Sequence, residues 1–158
     1  MLFSATDPNR KKLVNDYAAV AGMRGDARHG AILFQQNCSM CHRLNSQGHE
    51  VGPDLGTVAG KPAEYLLTAI LDPSQSIEPR YTRYDLTTKD GRELCGIITA
   101  ETPDYLTLTQ PGGVVELLSR RDLEKIKSSK LSLMPDGFES ALTKQSMADL
   151  LSYINNRR

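Results

Sequence analysis

Behind the pair Asp7–Pro8, apolar side chains recur at Leu13, Tyr17, Val20 and Ala21, and Gly22 ends the run. An N-cap, a first-turn proline and one apolar face predict a helix over about 8–21. Asp26 caps a second helix that buries Ala27, Ala31, Phe34 and either Ile32 or Leu33 and delivers the chain to Cys38. Residues 43–61 read as loop, punctuated by Gly48, Gly52, Pro53, Gly56 and Gly60; a third helix runs from Pro62 to about Leu71, closed by Pro73. Over 80–118 the runs "YTRYDLTT", "ELCGIITAE", "YLTLTQ" and "VVELL" are rich in β-formers and separated by "KDGR", "ETPD" and "PGG". They predict four strands joined by tight turns. A short helix is expected over 119–126, and a last helix begins at the N-cap Thr143, with Met147, Leu150, Leu151 and Ile154 as its buried stripe. The predicted class is α+β.

Composition narrows this picture. The chain has 158 residues, 39% of them hydrophobic, enough for one core of ordinary size. Nineteen basic residues balance nineteen acidic ones, so no net field draws the protein to nucleic acid or an anionic membrane. No window approaches the roughly 20 apolar residues of a membrane span. "MLFSATDPNR" lacks the basic start and apolar stretch of a secretion signal, which fits a chain whose signal was removed or a module cut from a longer one. Three cysteines cannot all pair within the chain, and Cys38 and Cys41 are too close to staple a fold. Chemistry is the better explanation for them.

Cys38 and Cys41 stand in "NCSMCHRL", with His42 directly after the second. In such a run the thiols form thioethers to the vinyl groups of a haem, and the adjoining imidazole ligates the iron. A redox dithiol would sit beside a βαβ pattern, whereas a helix precedes this motif and a glycine-rich loop follows it. A zinc site would need two further ligands, and only the distant Cys95, His29 and His49 are available. Gly30, Phe34 and Cys38 recur at intervals of four, and Gly30 would admit another helix closely, the candidate being the last one with Leu150 and Tyr153.

These residues resemble class I c-type cytochromes, which carry a Gly and a Phe ahead of the haem motif. "GPDLGTVAGK" is similar to that family's loop after the motif and "ADLLSYI" to its last helix. The likeness implies that the Pro53 carbonyl receives the Nδ1 hydrogen of His42, that Phe34, Leu55 and Tyr153 pack the haem, and that Lys61 lies near a propionate where the family usually has Arg. The span from about Gly25 to Ile154 further resembles the C-terminal haem-binding domain of large dehydrogenase-like proteins of planctomycetes and verrucomicrobia. "VGPDL", "YLLTAILDPS", "DGRELCGII" and "SLMPDGF" match it in order.

That resemblance implies a cytochrome c helical core around one covalent haem c, with a small antiparallel β insertion at about 80–118 packed against it. Residues 1–24 would be a helix or linker from a preceding region and 25–158 the cytochrome domain. A sixth iron ligand should come from just before the last helix, where "LSLMPDGF" supplies Met134. The alternative for Met134 is a core gap-filler. His49, only seven residues past His42, is the rival ligand but reads as a solvated loop residue, and His29 as an exposed polar one. Cys95 reads as a small buried strand residue; an exposed position would permit an intermolecular disulfide. The expected function is electron transfer rather than enzymatic turnover, with a dehydrogenase domain or partner protein as donor and a periplasmic or secreted location. The competing readings are a gas sensor or peroxidase-like enzyme with an open distal site, and an interaction module with a structural haem.

Overall fold

The computed structural model describes residues 7–156. The opening segment read for a secretion signal lies partly outside them, since its first six residues are not among the described ones. Helix α1 (Pro8–Asp16) starts where expected, with the Asn9 N–H donating to Asp7 Oδ1 at 2.8 Å. It does not run to residue 21. A separate 3-10 turn covers Ala18–Gly22. The break falls at Tyr17, which is buried and donates its hydroxyl to the Leu142 carbonyl at 2.8 Å, so a tertiary anchor overrides helical continuation.

Helix α2 (Ala27–Asn37) is capped by Asp26, whose Oδ1 accepts from the Arg28 N–H, and buries Gly30, Leu33 and Phe34. A two-residue hairpin, β1 (Arg43–Leu44) and β2 (Gln47–Gly48), turns through Asn45 and Ser46, both at positive φ, as a tight antiparallel turn requires. Helix α3 (Ala63–Leu71) contributes Leu66, Leu67, Ile70 and Leu71 to the core. Five antiparallel strands follow: β3 (Arg83–Thr88), β4 (Glu93–Glu101), β5 (Tyr105–Gln110), β6 (Val114–Ser119) and β7 (Leu123–Ser128), in the order β6-β5-β4-β3-β7. Helix α4 (Lys144–Asn155), capped by Thr143, ends the described chain and buries Met147, Leu150, Leu151 and Ile154. No helix among the described residues is long and apolar enough to cross a membrane.

The helix expected over 119–126 is corrected by β7. Only Arg120–Asp122 makes a 3-10 turn, which carries the chain across to pair with β3. "LEKIK" has good helix formers, but its first residue, Leu123, joins the sheet's core while Glu124, Lys125 and Lys127 stay exposed. A lysine-rich edge strand is a common guard against further strand pairing.

The helices and the sheet have separate apolar clusters. Leu86, Leu106, Leu108, Leu118 and Leu123 fill the sheet's own core. Phe34, Leu67, Leu142, Met147 and Leu150 belong to the helical one. β4 serves both sides by its period of two: Leu94 and Ile98 pack on the sheet core, whereas Ile97 turns toward a cavity against the helices.

α2 and α4 cross at Gly30. A Cβ there would lie 2.0 Å from the Asp149 carbonyl oxygen. The crossing is latched by the Asp149 side chain, which accepts from the Asp26 N–H at 2.8 Å and the Gln145 side chain at 3.0 Å and pairs with His29 Nδ1 at 2.7 Å. Burial pushes this carboxyl up, but the hydrogen bonds from His29, the Asp26 N–H and Gln145 outweigh it and hold Asp149 below its ordinary value. A depressed carboxyl stabilises the fold above the unfolded carboxylate value, and that contribution is lost as pH falls through the folded one. Asp149→Asn should therefore cost about 1.5–3 kcal/mol near neutral pH, with the gap to wild type closing as pH falls below the ordinary carboxylate range, as measured by urea denaturation across pH.

Candidate functional site

The C-terminal end of α2 delivers Cys38, and the next four residues turn tightly enough that the Cys41 and His42 N–H groups both donate to the Cys38 carbonyl, at 3.1 and 2.9 Å. The loop then folds back, and the Val51 and Gly52 N–H groups donate to the Cys41 carbonyl at 3.0 and 2.7 Å. Gly52 packs flat on the imidazole: a Cβ there would come within 2.6 Å of His42 Cε1. His42 Nδ1 lies 2.8 Å from the Pro53 carbonyl oxygen. A carbonyl only accepts, so Nδ1 carries the hydrogen and Nε2 keeps its lone pair.

Cys38, Cys41 and His42 line one wall of a cavity of about 630 Å³. Leu55, Val58, Leu66, Ile70, Leu150 and Ile154 supply apolar walls, and Met134 lines the same space. Met134 sits in an irregular segment tied down by two serines: its N–H donates to Ser132 Oγ, and the Ser132 N–H donates to Ser74 Oγ, both at 3.1 Å. Thus α2, the loop after it, α3 and the segment before α4 converge on one chamber.

Burial and then the neighbouring Cys41 charge push the Cys38 thiol up to about 12, and burial raises Cys41 as well. Both are protonated thiols at neutral pH. Burial lowers His42 against the opposing Pro53 hydrogen bond, so the ring is neutral, the form a metal ligand must have.

The remaining sequence candidates fall into place around this centre. Phe34 is fully buried and packs on Tyr153 with ring centroids 5.7 Å apart, behind the cavity rather than on its wall. Lys61 is exposed with its ammonium 5.6 Å from the centre of the Tyr65 ring, and Tyr65 is a lining residue. His49 is an exposed loop residue against Gly113, away from the chamber. His29 is half-exposed but held by Asp149, a partnership that spacing alone does not reveal. Cys95 is half-buried rather than buried, opposite Asp85 in the register of β3 and β4, and is not a lining residue. Sequence reasoning missed the contribution of the segment after α3 and of β4: Asp72, Ile77, Tyr81 and Ile97 all line the cavity. It also missed that the turn between β5 and β6 reaches the motif, where the Gly112 N–H donates to the Met40 carbonyl at 2.8 Å, between the two cysteines.

Residues 27–92 match the cytochrome c family model. Similar proteins include a cytochrome c of Arabidopsis thaliana, 40% identical over 40 residues, covering 25% of this chain and 36% of that protein. A cytochrome c-553-like protein of Synechocystis is 36% identical over 45 residues, 28% of this chain and 42% of that protein. A cytochrome c of Cochliobolus lunatus is 41% identical over 39 residues, 24% of this chain and 36% of that protein. The chain thus spans about two fifths of the length of the curated relatives it matches. These matches support a c-type cytochrome, and that family implies covalently bound haem c.

The residues present fit such a group. Two protonated thiols and one neutral imidazole share a wall, a thioether lines the same chamber, and the volume lies in the roughly 300–1,000 Å³ range of cofactor sites.

Proposed function

We propose that the chain is a mono-haem c-type cytochrome domain that transfers single electrons, with the sheet of residues 83–128 inserted between the middle helix and the distal loop of a cytochrome c core. The observation that carries this is the convergence of Cys38, Cys41, His42 and Met134 on one largely apolar chamber. Haem, when bound, supplies an iron that gains and loses one electron.

The chain's own residues do the rest. Cys38 and Cys41 would hold the group covalently, each through a thioether link from its sulfur. The Pro53 carbonyl fixes the His42 ring with Nε2 as the ligand atom. Met134, on the Ser132-tethered segment, would offer its thioether sulfur as the second donor to the iron. Phe34, Leu55 and Tyr153 keep the surroundings apolar and still, which limits reorganisation when the charge changes, and Lys61 offers a charge to a propionate at the rim. The donor we propose is a redox partner protein or a dehydrogenase domain fused to this one, in line with the resemblance to the planctomycete and verrucomicrobial domains, in a periplasmic or secreted setting.

The test is intact mass under denaturing conditions after expression in a host able to mature c-type cytochromes. The expected result is the polypeptide plus one haem, with Cys38→Ser and Cys41→Ser together abolishing the addition. A bare polypeptide mass for the wild type sinks the reading.

A further inference from the structure

Asp72, the residue that ends α3, is only 5% exposed and lines the chamber shared by His42 and Met134. Its backbone is fully used: its N–H donates to the Thr68 carbonyl at 2.8 Å, and its carbonyl accepts from the Gln75 N–H at 3.1 Å. The side chain is not, for Oδ2 is buried without a hydrogen-bond partner among the described residues. An ionised carboxylate left this way is costly, so the group must either find a positive charge or hold a proton.

Its surroundings act on the carboxyl in both directions. From α1 comes Arg10, whose Nη1 lies 3.4 Å from the Leu71 carbonyl, but the same atom is engaged with Glu139 Oε1 at 2.8 Å, and Asp7 sits at the helix's start. The segment after Met134 brings Asp136 and Glu139, and the cavity wall adds the exposed Glu64 and Glu78. Burial and Asp136 raise the Asp72 carboxyl, Arg10 lowers it, and Asp7 raises it again. Glu139 Oε2 is also buried and unpartnered, but Glu139 does not line the chamber.

We propose that Asp72 is a proton-binding site coupled to the haem. When the iron takes one electron from a donor protein, the Asp72 carboxylate takes one proton from solvent; when the electron leaves, the proton is released. The electron neutralises the positive charge that the ferric centre adds to the chamber, and with that charge gone the carboxylate loses what favoured it. The inference rests on the haem reading above.

The experiment is the midpoint potential of the haem-loaded chain between about pH 5 and about 9, with proton uptake on reduction followed by an indicator dye. Within the window between the ferric and ferrous values of the carboxyl, the potential should fall by up to about 59 mV per pH unit, a tenfold change in the reduction equilibrium per unit. Asp72→Asn should flatten that slope while leaving haem content and absorption bands as in wild type, and a carboxylic-acid infrared band that appears on reduction should vanish. Arg10→Gln removes the opposing cation and should move the window to higher pH. A flat wild-type profile, or a slope that survives in Asp72→Asn, overturns the proposal. If Asp72→Asn does not fold, an unshifted window in Arg10→Gln overturns it instead. Failure of the haem reading looks different, because the bare polypeptide mass then leaves no potential to titrate.

Discussion

Gly30→Ala should destabilise the protein by about 3 kcal/mol or more, although the same change at an exposed helical site stabilises by about 1 kcal/mol. The reason is local: the new Cβ would meet the Asp149 carbonyl oxygen at 2.0 Å, its carbon at 2.7 Å and Tyr153 Cβ at 2.8 Å. The first two are backbone atoms of α4, so no side-chain rotation relieves the clash and the helices must part. Parting them pulls Tyr153 from Phe34 and shifts Leu150 and Ile154, which line the chamber. Gly22→Ala is the control, since a Cβ there meets nothing within 4 Å. Urea denaturation should separate the two variants clearly; equal stability for both would mean that α2 and α4 do not cross as described.

The same glycine shows what is readable in a sequence of this kind. Gly30, Phe34 and Cys38 at intervals of four place a close helix crossing beside the motif, because helical geometry fixes neighbours at that spacing. The thiol pair and its imidazole are likewise consecutive in the chain, and the caps at Asp7, Asp26 and Thr143 announce their helices within one turn. What escapes is settled by distant partners. β7 is a strand because β3, about forty residues earlier, offers an open edge to it, whereas the local sequence "LEKIK" favours a helix. α1 stops at Asp16 because Tyr17 is held by Leu142, far along the chain. Asp72 reads as the last residue before a helix-closing proline, and only the packed structure reveals that Oδ2 of its carboxyl is buried and unpartnered and that the residue is one of those lining the chamber.

Met134→Ala should open the iron of the haem-loaded protein to carbon monoxide and lower its potential by on the order of 0.2 V, a fraction of the ~0.8 V that axial ligands span. His42 occupies one wall because it follows Cys41, so the opposite ligand must come from a segment remote in sequence. Met134 is such a residue: it lines the same chamber, lies 92 positions on from His42, and is held through Ser132 to Ser74 beyond α3. A thioether favours ferrous iron, and removing it removes that preference. Met134→His should keep the iron six-coordinate and also lower the potential, because imidazole favours the ferric state relative to a thioether. The ferric wild type should show the weak far-red band of methionine ligation, and the alanine variant should lose it. If the band is absent and Met134→Ala leaves the spectrum and carbon monoxide binding as in wild type, the distal site is open, since neither His49 nor Cys95 lines the chamber. In that case a gas sensor or peroxidase-like enzyme becomes the better account of a chamber whose walls extend past Met134 to Tyr81 and Ile97.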